Sequence, residues 1–275
     1  MKIKDYFLTQ EIFEIQETEI AGILKTSPIP KNLDKYYKSN KYISHHQDSG
    51  SIKEKVYKFF QKFNLNYKRN ILASEIGIGL KILDYGCGTA DFVKFLEDEY
   101  ITYGYEPNEE AKNFAKQKSP KTIFVSDPEL KEIPDGSLDI ITLWHVFEHI
   151  EDREKALATF YKKLKPTGGL LIIAVPNHTS YDGLKYKEFW AAYDVPRHIW
   201  HYSKRGMEKF LYRKEWRLRK IKPLHLDAYY ISMLSEKYKK NPLFWLWGMV
   251  QGAISNFKAV KTGEFSSLIY IIEKS

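Results

Sequence analysis

From position 80 onward the chain alternates two kinds of hydrophobic pattern. Short apolar runs of strand length fall at 80–84, 101–106, 122–125, 138–144 and 169–175. Between them, apolar residues recur every three or four positions, which predicts helices near 89–99, 108–118 and 152–164. Such alternation predicts an α/β fold, with a mostly parallel sheet covered by helices on both faces. Ligands of such sheets bind beyond the carboxyl ends of the strands.

The flanks read differently. Residues 1 to about 45 mix short alternating segments, 6–15 and 20–24, with the turn-prone SPIPKN at 27–32, and predict a small β-rich extension. The aromatic and basic segment YYKSNKYISHH (36–46) either closes over a ligand or packs on the main domain. Ile52, Val56, Phe59, Phe60 and Phe63 mark the apolar face of a helix over 51–63, with Ser51 as N-cap and Glu54 three residues on. The polar NLNYKRN then leads into the first parallel strand. After Pro176 the alternation breaks into an aromatic, histidine-rich loop at 177–202. A helix near 203–214, a strand near 216–224, an irregular insertion and a last strand at 267–272 follow.

Composition narrows the setting. The chain of 275 residues is long enough to bury a full core, and its formal net charge of +8 is compatible with a solvated basic surface. No long basic stripe is evident, so no nucleic-acid partner is expected. Cys87 is the only cysteine, which excludes an intrachain disulfide and a thiolate zinc cluster and fits a reducing cytoplasm. The longest apolar run, 243–250, is too short to span a bilayer, and the N-terminus lacks a signal-peptide core, so a soluble cytoplasmic protein is expected.

The chemistry concentrates at 81–96, KILDYGCGTADFVKFL. A strand ending at Asp84 runs into the turn of Gly86, Cys87 and Gly88, small enough for backbone to approach a ligand. A helix follows, whose first-turn amides Thr89 or Asp91 can serve. Only two glycines of the dinucleotide fingerprint are present, and Asp91 stands at the third. A carboxylate there would repel a pyrophosphate and suits a ligand with positive charge. Glu106 ends the next strand at the interval where nucleotide-binding folds place an acid that accepts from both ribose hydroxyls.

Taken together, DYGCGTADF (84–92), GYEPN (104–108), VSDPELKEIPDGSLDIITLWHVFEHI (125–150) and LKPTGGLLIIAVPN (164–177) resemble the motifs of class I S-adenosylmethionine-dependent methyltransferases. The resemblance covers roughly residues 75–176 and is weaker to the end. It implies a doubly wound, Rossmann-like, mostly parallel seven-stranded sheet, with residues 1–50 as an extension and 51–275 as the methyltransferase domain, interrupted by insertions at 177–202 and 225–264. It implies S-adenosylmethionine as cofactor. Gly86 and Gly88 would approach its methionine part, Asp84 would orient the turn or the amino group, and Glu106 would hold the ribose. Pro107 would flank the adenine, Asp127 would accept from the adenine amino group, and Trp144 and His145 would lie near the methionine end. Ala90 departs from the family, many of whose members have glycine there.

Three further stretches carry candidate chemistry. His145, Glu148 and His149 spell H-x-x-E-H, but His145 falls at a strand end, so zinc hydrolysis is not expected and no metal is assigned. The loop FWAAYDVPRHIWHYS (189–203) is either an aromatic plug or a lid over an acceptor pocket. His198 or His201, with His145, are candidate catalytic residues, the first two as general bases. The apolar NPLFWLWGMVQGAI (241–254) is a core helix, a wall of the acceptor pocket or a surface-seeking element. The expected activity is methyl transfer to a small-molecule acceptor. A nicotinamide oxidoreductase and a non-catalytic binding module are the rivals.

Overall fold

The computed structural model describes residues 1–37, 52–213 and 215–275, with the side chains of all but 34 and 52–57. In chain order the strands are β1 (Lys2–Lys4), β2 (Ile12–Glu17), β3 (Ile23–Ser27), β4 (Lys81–Tyr85), β5 (Ile101–Tyr105), β6 (Ile123–Val125), β7 (Ile140–Trp144), β8 (Leu170–Pro176), β9 (Trp200–Tyr202), β10 (Trp216–Pro223) and β11 (Ser267–Lys274). The helices are α1 (Ile52–Glu75), α2 (Asp91–Leu96), α3 (Glu109–Lys118), α4 (Asp127–Glu132), α5 (Arg153–Lys163), α6 (Tyr181–Tyr186), α7 (Lys204–Tyr212), α8 (His225–Tyr238) and α9 (Phe244–Thr262).

The main sheet has seven strands in the order β10-β11-β8-β7-β4-β5-β6. The five from β6 to β8 are parallel, and β11 is antiparallel to both β8 and β10. Strand residues alternate between two cores, as the pleat requires. Leu83, Ile141, Leu143, Leu171 and Ile173 face Phe160 of α5 and Phe210 of α7. Ile82, Ile140, Leu170 and Ile172 face Ile71 and Leu72 of α1 and Phe92 and Leu96 of α2. From β4 the chain proceeds to β5 on one side and later to β7 on the other, so the crevice above β4 is the switch point at which such sheets bind ligands.

Strands β1 to β3 form the expected β-rich extension, yet it is not self-contained. Its four-stranded antiparallel sheet is completed by β9, which pairs with β3 and comes from the aromatic insertion. The junction is locked by Arg197, 2% exposed, whose guanidinium bonds Asp5 at 3.0 Å and Asp194 at 2.6 and 2.9 Å.

Two expectations need correction. Helix α1 runs on to Glu75 through the polar NLNYKRN, because Leu65, Tyr67, Ile71 and Leu72 meet the sheet there, whereas the predicted face of Phe59, Phe60 and Phe63 is exposed. The proposed cap at Ser51 and most of the 36–46 segment lie outside the described residues. The insertion at 225–264 is a helical hairpin, α8 and α9, rather than irregular chain. Its helices approach closely because Gly248 and Gly252 face them. A Cβ on Gly252 would meet Cα of Tyr229 at 2.6 Å, and one on Gly248 would collide with Met233. Small residues thus take the buried side of α9, which leaves Trp245, Leu246, Trp247, Met249 and Val250 exposed, so this stretch is no core helix. Among the described residues no helix is long and apolar enough to cross a membrane.

Candidate active site

The predicted cofactor residues converge on the switch-point crevice. Asp84, next to last in β4, is 3% exposed and accepts a hydrogen bond from Thr142 Oγ1 of β7 at 2.6 Å. The turn that follows has glycine where it must. Gly86 has φ +80°, and a Cβ on it would come within 2.5 Å of Val146. Gly88, at φ +54°, faces open space, so a ligand can lie against its backbone. Ala90, buried at φ +65°, pays the left-handed strain that glycine would avoid, which is the physical reason for glycine at this turn.

Glu106 binds the turn to the next strand end. One carboxylate oxygen accepts from Gly88 N–H and the other from Asn108 N–H, each at 2.9 Å. Each oxygen keeps a lone pair for a ribose hydroxyl. Pro107 sits exposed beside it, and Asp127 opens α4 with one oxygen taken by the Tyr105 hydroxyl at 2.8 Å. Trp144, at the end of β7, presents a buried indole N–H with no partner among the described residues.

Lys68, which sequence reasoning missed, completes the crevice. Rising from α1, its ammonium stands 4.4 Å from the Trp144 ring centroid. Burial lowers its pKa, and Asp84, Asp227 and Asp91 oppose that fall. Nothing in NLNYKRN distinguishes this lysine, because its role depends on where α1 crosses the sheet. An ammonium beside a buried carboxylate matches a zwitterion, with Lys68 toward a carboxylate and Asp84 toward an amino group.

The charge reasoning on Asp91 needs revision. Its carboxylate takes hydrogen bonds from Lys118 at 2.6 Å and Thr89 at 2.8 Å, so its charge is compensated. The N-cap is Ala90, without a side-chain bond to the helix amides, so neither Thr89 nor Asp91 serves as expected.

The three candidate catalytic histidines part company. His145 sits just beyond β7 with φ +56°, its Nε2 2.8 Å from Asp227 and its Nδ1 3.4 Å from Glu148. Burial opposes the charged ring, but Asp227 and then Glu148 overcome it and hold its pKa up at about 10. An imidazolium cannot accept a proton, so His145 is not a general base. His201 lies on β9, 4% exposed, with Nε2 2.9 Å from Thr26 Oγ1, and is a member of the small sheet. His198 alone turns its Nε2 toward the end of β7, 3.9 Å from Glu148.

Burial pushes the Asp84 carboxyl up to about 6, against the Thr142 hydrogen bond and the Lys68 charge. A raised carboxyl pKa contributes stability that is complete below the ordinary value of about 3.9 and is lost as pH rises through the folded value. Asp84→Asn is therefore expected to raise the melting temperature of the ligand-free protein relative to wild type at pH 8 more than at pH 5. Calorimetric melting checks this, and an equal difference at both pH values would refute it.

Asp84, Lys68 and the amide-bound Glu106 thus line the switch point of a seven-stranded, mostly parallel α/β sheet, the architecture of a Rossmann-like fold. The chain belongs to the methyltransferase family, since the model for the methyltransferase domain matches residues 44–220, more than half of it. The family uses S-adenosylmethionine. An uncharacterised methyltransferase of Bacillus mycoides is 33% identical over 97 residues, 34% of this chain and 45% of the relative. The chain thus spans about half the length of the curated relatives it matches. Among solved structures, a magnesium protoporphyrin IX methyltransferase of Synechocystis with bound S-adenosylhomocysteine superposes at TM-score 0.56, with 13% identity over 88% of this chain and 97% of that one. A geranyl diphosphate C-methyltransferase of Streptomyces coelicolor superposes at 0.53, with 11% identity over 76% and 79%. At these identities the likeness shows the fold.

Proposed function

We propose that the protein transfers the sulfonium methyl group of S-adenosylmethionine to a small-molecule acceptor. The observation that carries this reading is the Glu106 carboxylate, tied to the Gly88 and Asn108 amides at the switch point with lone pairs left for two hydroxyls. When bound, the cofactor supplies an activated methyl group on a cationic sulfur. The chain's own residues position it. Glu106 takes the ribose, Asp84 and Lys68 the two charges of the methionine end, and Pro107 and Asp127 flank the adenine. Trp144 offers its N–H at the methionine end. Alignment in a water-poor crevice supplies acceleration without a proton transfer, which agrees with a charged His145.

The acceptor is assigned to the side of the insertion after Pro176, whose Trp190 and Tyr193 are buried against the small sheet and α8. The two neighbours named for geranyl diphosphate and magnesium protoporphyrin IX point to a small molecule. Incubation with methyl-labelled S-adenosylmethionine and cell extract should place label in the low-molecular-weight fraction, with release of S-adenosylhomocysteine. Label confined to protein or nucleic acid would overturn the acceptor class. Tight cofactor binding without turnover in any fraction would favour a binding module.

A further inference from the structure

Beside the cofactor crevice lies a cluster that the methyl-transfer reading leaves unused. Glu148 and His149 belong to the short turn of residues 147–149 that follows β7, and His198 comes from the aromatic insertion. One ligand atom from each lies within 4.8 Å of the others. Glu148 is fully buried, yet neither of its carboxylate oxygens has a hydrogen-bond partner among the described residues. A buried, ionisable group left unsatisfied costs several kcal/mol, on the order of a lost charge-assisted hydrogen bond or more, and calls for an explanation. The His145 imidazolium, its Nδ1 3.4 Å from one oxygen, offsets part of the charge but makes no hydrogen bond, so both oxygens keep their lone pairs.

The two imidazoles are prepared in a particular way. His149 Nδ1 lies 2.9 Å from the carbonyl oxygen of Arg197, and His198 Nδ1 lies 2.8 Å from that of Ala192. A carbonyl only accepts, so in both rings Nδ1 carries the proton and Nε2 presents a lone pair. The Tyr37 hydroxyl also meets His149 Nδ1, at 3.1 Å. Histidine ligands of metals are oriented in this manner, with the remote N–H given to a backbone carbonyl. The His198 Nε2 lone pair and the Glu148 carboxylate stand 3.9 Å apart with a ligand atom of His149 within 4.8 Å of both, an arrangement that a cation between them would stabilise.

We propose that Glu148, His149 and His198 bind a divalent transition-metal ion of the zinc class. Two imidazole nitrogens and one carboxylate suit zinc or another first-row ion better than magnesium or calcium, which prefer all-oxygen shells. In a tetrahedral zinc site with bonds of about 2.0–2.1 Å, ligand atoms stand about 3.3 Å apart. The Glu148 to His198 separation of 3.9 Å needs only a small side-chain rotation to close. Three protein ligands leave a fourth position for water or substrate. His149 is half-buried, so the cluster is reachable from solvent. The site replaces the expectation of no metal. It is not the H-x-x-E-H arrangement, since His145 is turned to Asp227 and the third ligand comes from another loop.

Protein stripped with a chelator and exchanged into metal-free buffer is titrated with ZnCl2 by calorimetry. One zinc per chain is expected. Loss of an outer-shell partner typically costs 10–100-fold in affinity, so loss of a ligand in His149→Ala or His198→Ala should cost at least about 100-fold, while His225→Ala binds as wild type. X-ray absorption of zinc-loaded wild type, which depends on no variant folding, should show imidazole scattering with N/O ligands at about 2.0–2.1 Å. Absence of stoichiometric binding, undiminished affinity in both ligand variants, or a zinc spectrum without imidazole would each overturn the proposal.

Discussion

Replacing Glu106 by alanine is expected to weaken binding of S-adenosylmethionine by about 10²- to 10⁴-fold. A hydrogen bond to a charged group contributes about 1.5–3 kcal/mol, and two ribose hydroxyls would be lost, at about 1.4 kcal/mol per factor of ten. The turn would loosen as well, because the same carboxylate holds the Gly88 and Asn108 amides. Glu106→Gln should fall between, since an amide has one accepting oxygen and its NH2 would confront a backbone N–H. Titration calorimetry measures the series. Wild-type affinity in the alanine variant would remove the ribose assignment, and with it the main support for the proposed activity.

The largest effect on stability is expected at Arg197. Arg197→Met should destabilise the fold by about 3–5 kcal/mol, the usual cost of breaking a buried ion pair by deleting one partner. Burial opposes charge on Asp5 and Asp194, and both are nevertheless held below the ordinary carboxylate range by their surroundings, the Arg197 guanidinium prominent among them. The buried Asp5 and the half-buried Asp194 would be left with one cation fewer. Urea denaturation followed by circular dichroism reads the change, and a shift under about 1 kcal/mol would mean that solvent reaches this junction more readily than a 2% exposed guanidinium implies. Because Arg197 joins the extension to the insertion, the loss should be felt at both.

The cofactor crevice was largely legible because it is built from short stretches. Gly86, Gly88 and Glu106 lie at strand ends that hydrophobic periodicity locates, and the spacing from Gly88 to Glu106 is that of one strand-helix-strand unit. Charge was less legible. Asp91 looked decisive in the sequence, yet Lys118, a helix away, compensates it. His145 was a candidate catalytic residue in the sequence, yet Asp227, more than 80 positions on, stands 2.8 Å from its Nε2. The insertion at 225–264 misled for another reason. In α9 the small residues are inward and the large ones outward, the reverse of the pattern by which an amphipathic helix is recognised.

By itself the sequence determined the alternation of strands and helices and the glycine turn, which depend on residues within one supersecondary unit of each other, and the motifs over 84–177 carried the resemblance to the methyltransferases. Only the tertiary structure decided which charges are paired, that β9 completes the N-terminal sheet, that Lys68 enters the crevice, and that His198 meets Glu148 and His149. Those outcomes depend on side chains brought together across tens to hundreds of residues, and no local period or spacing records which of many possible partners a buried charge will find.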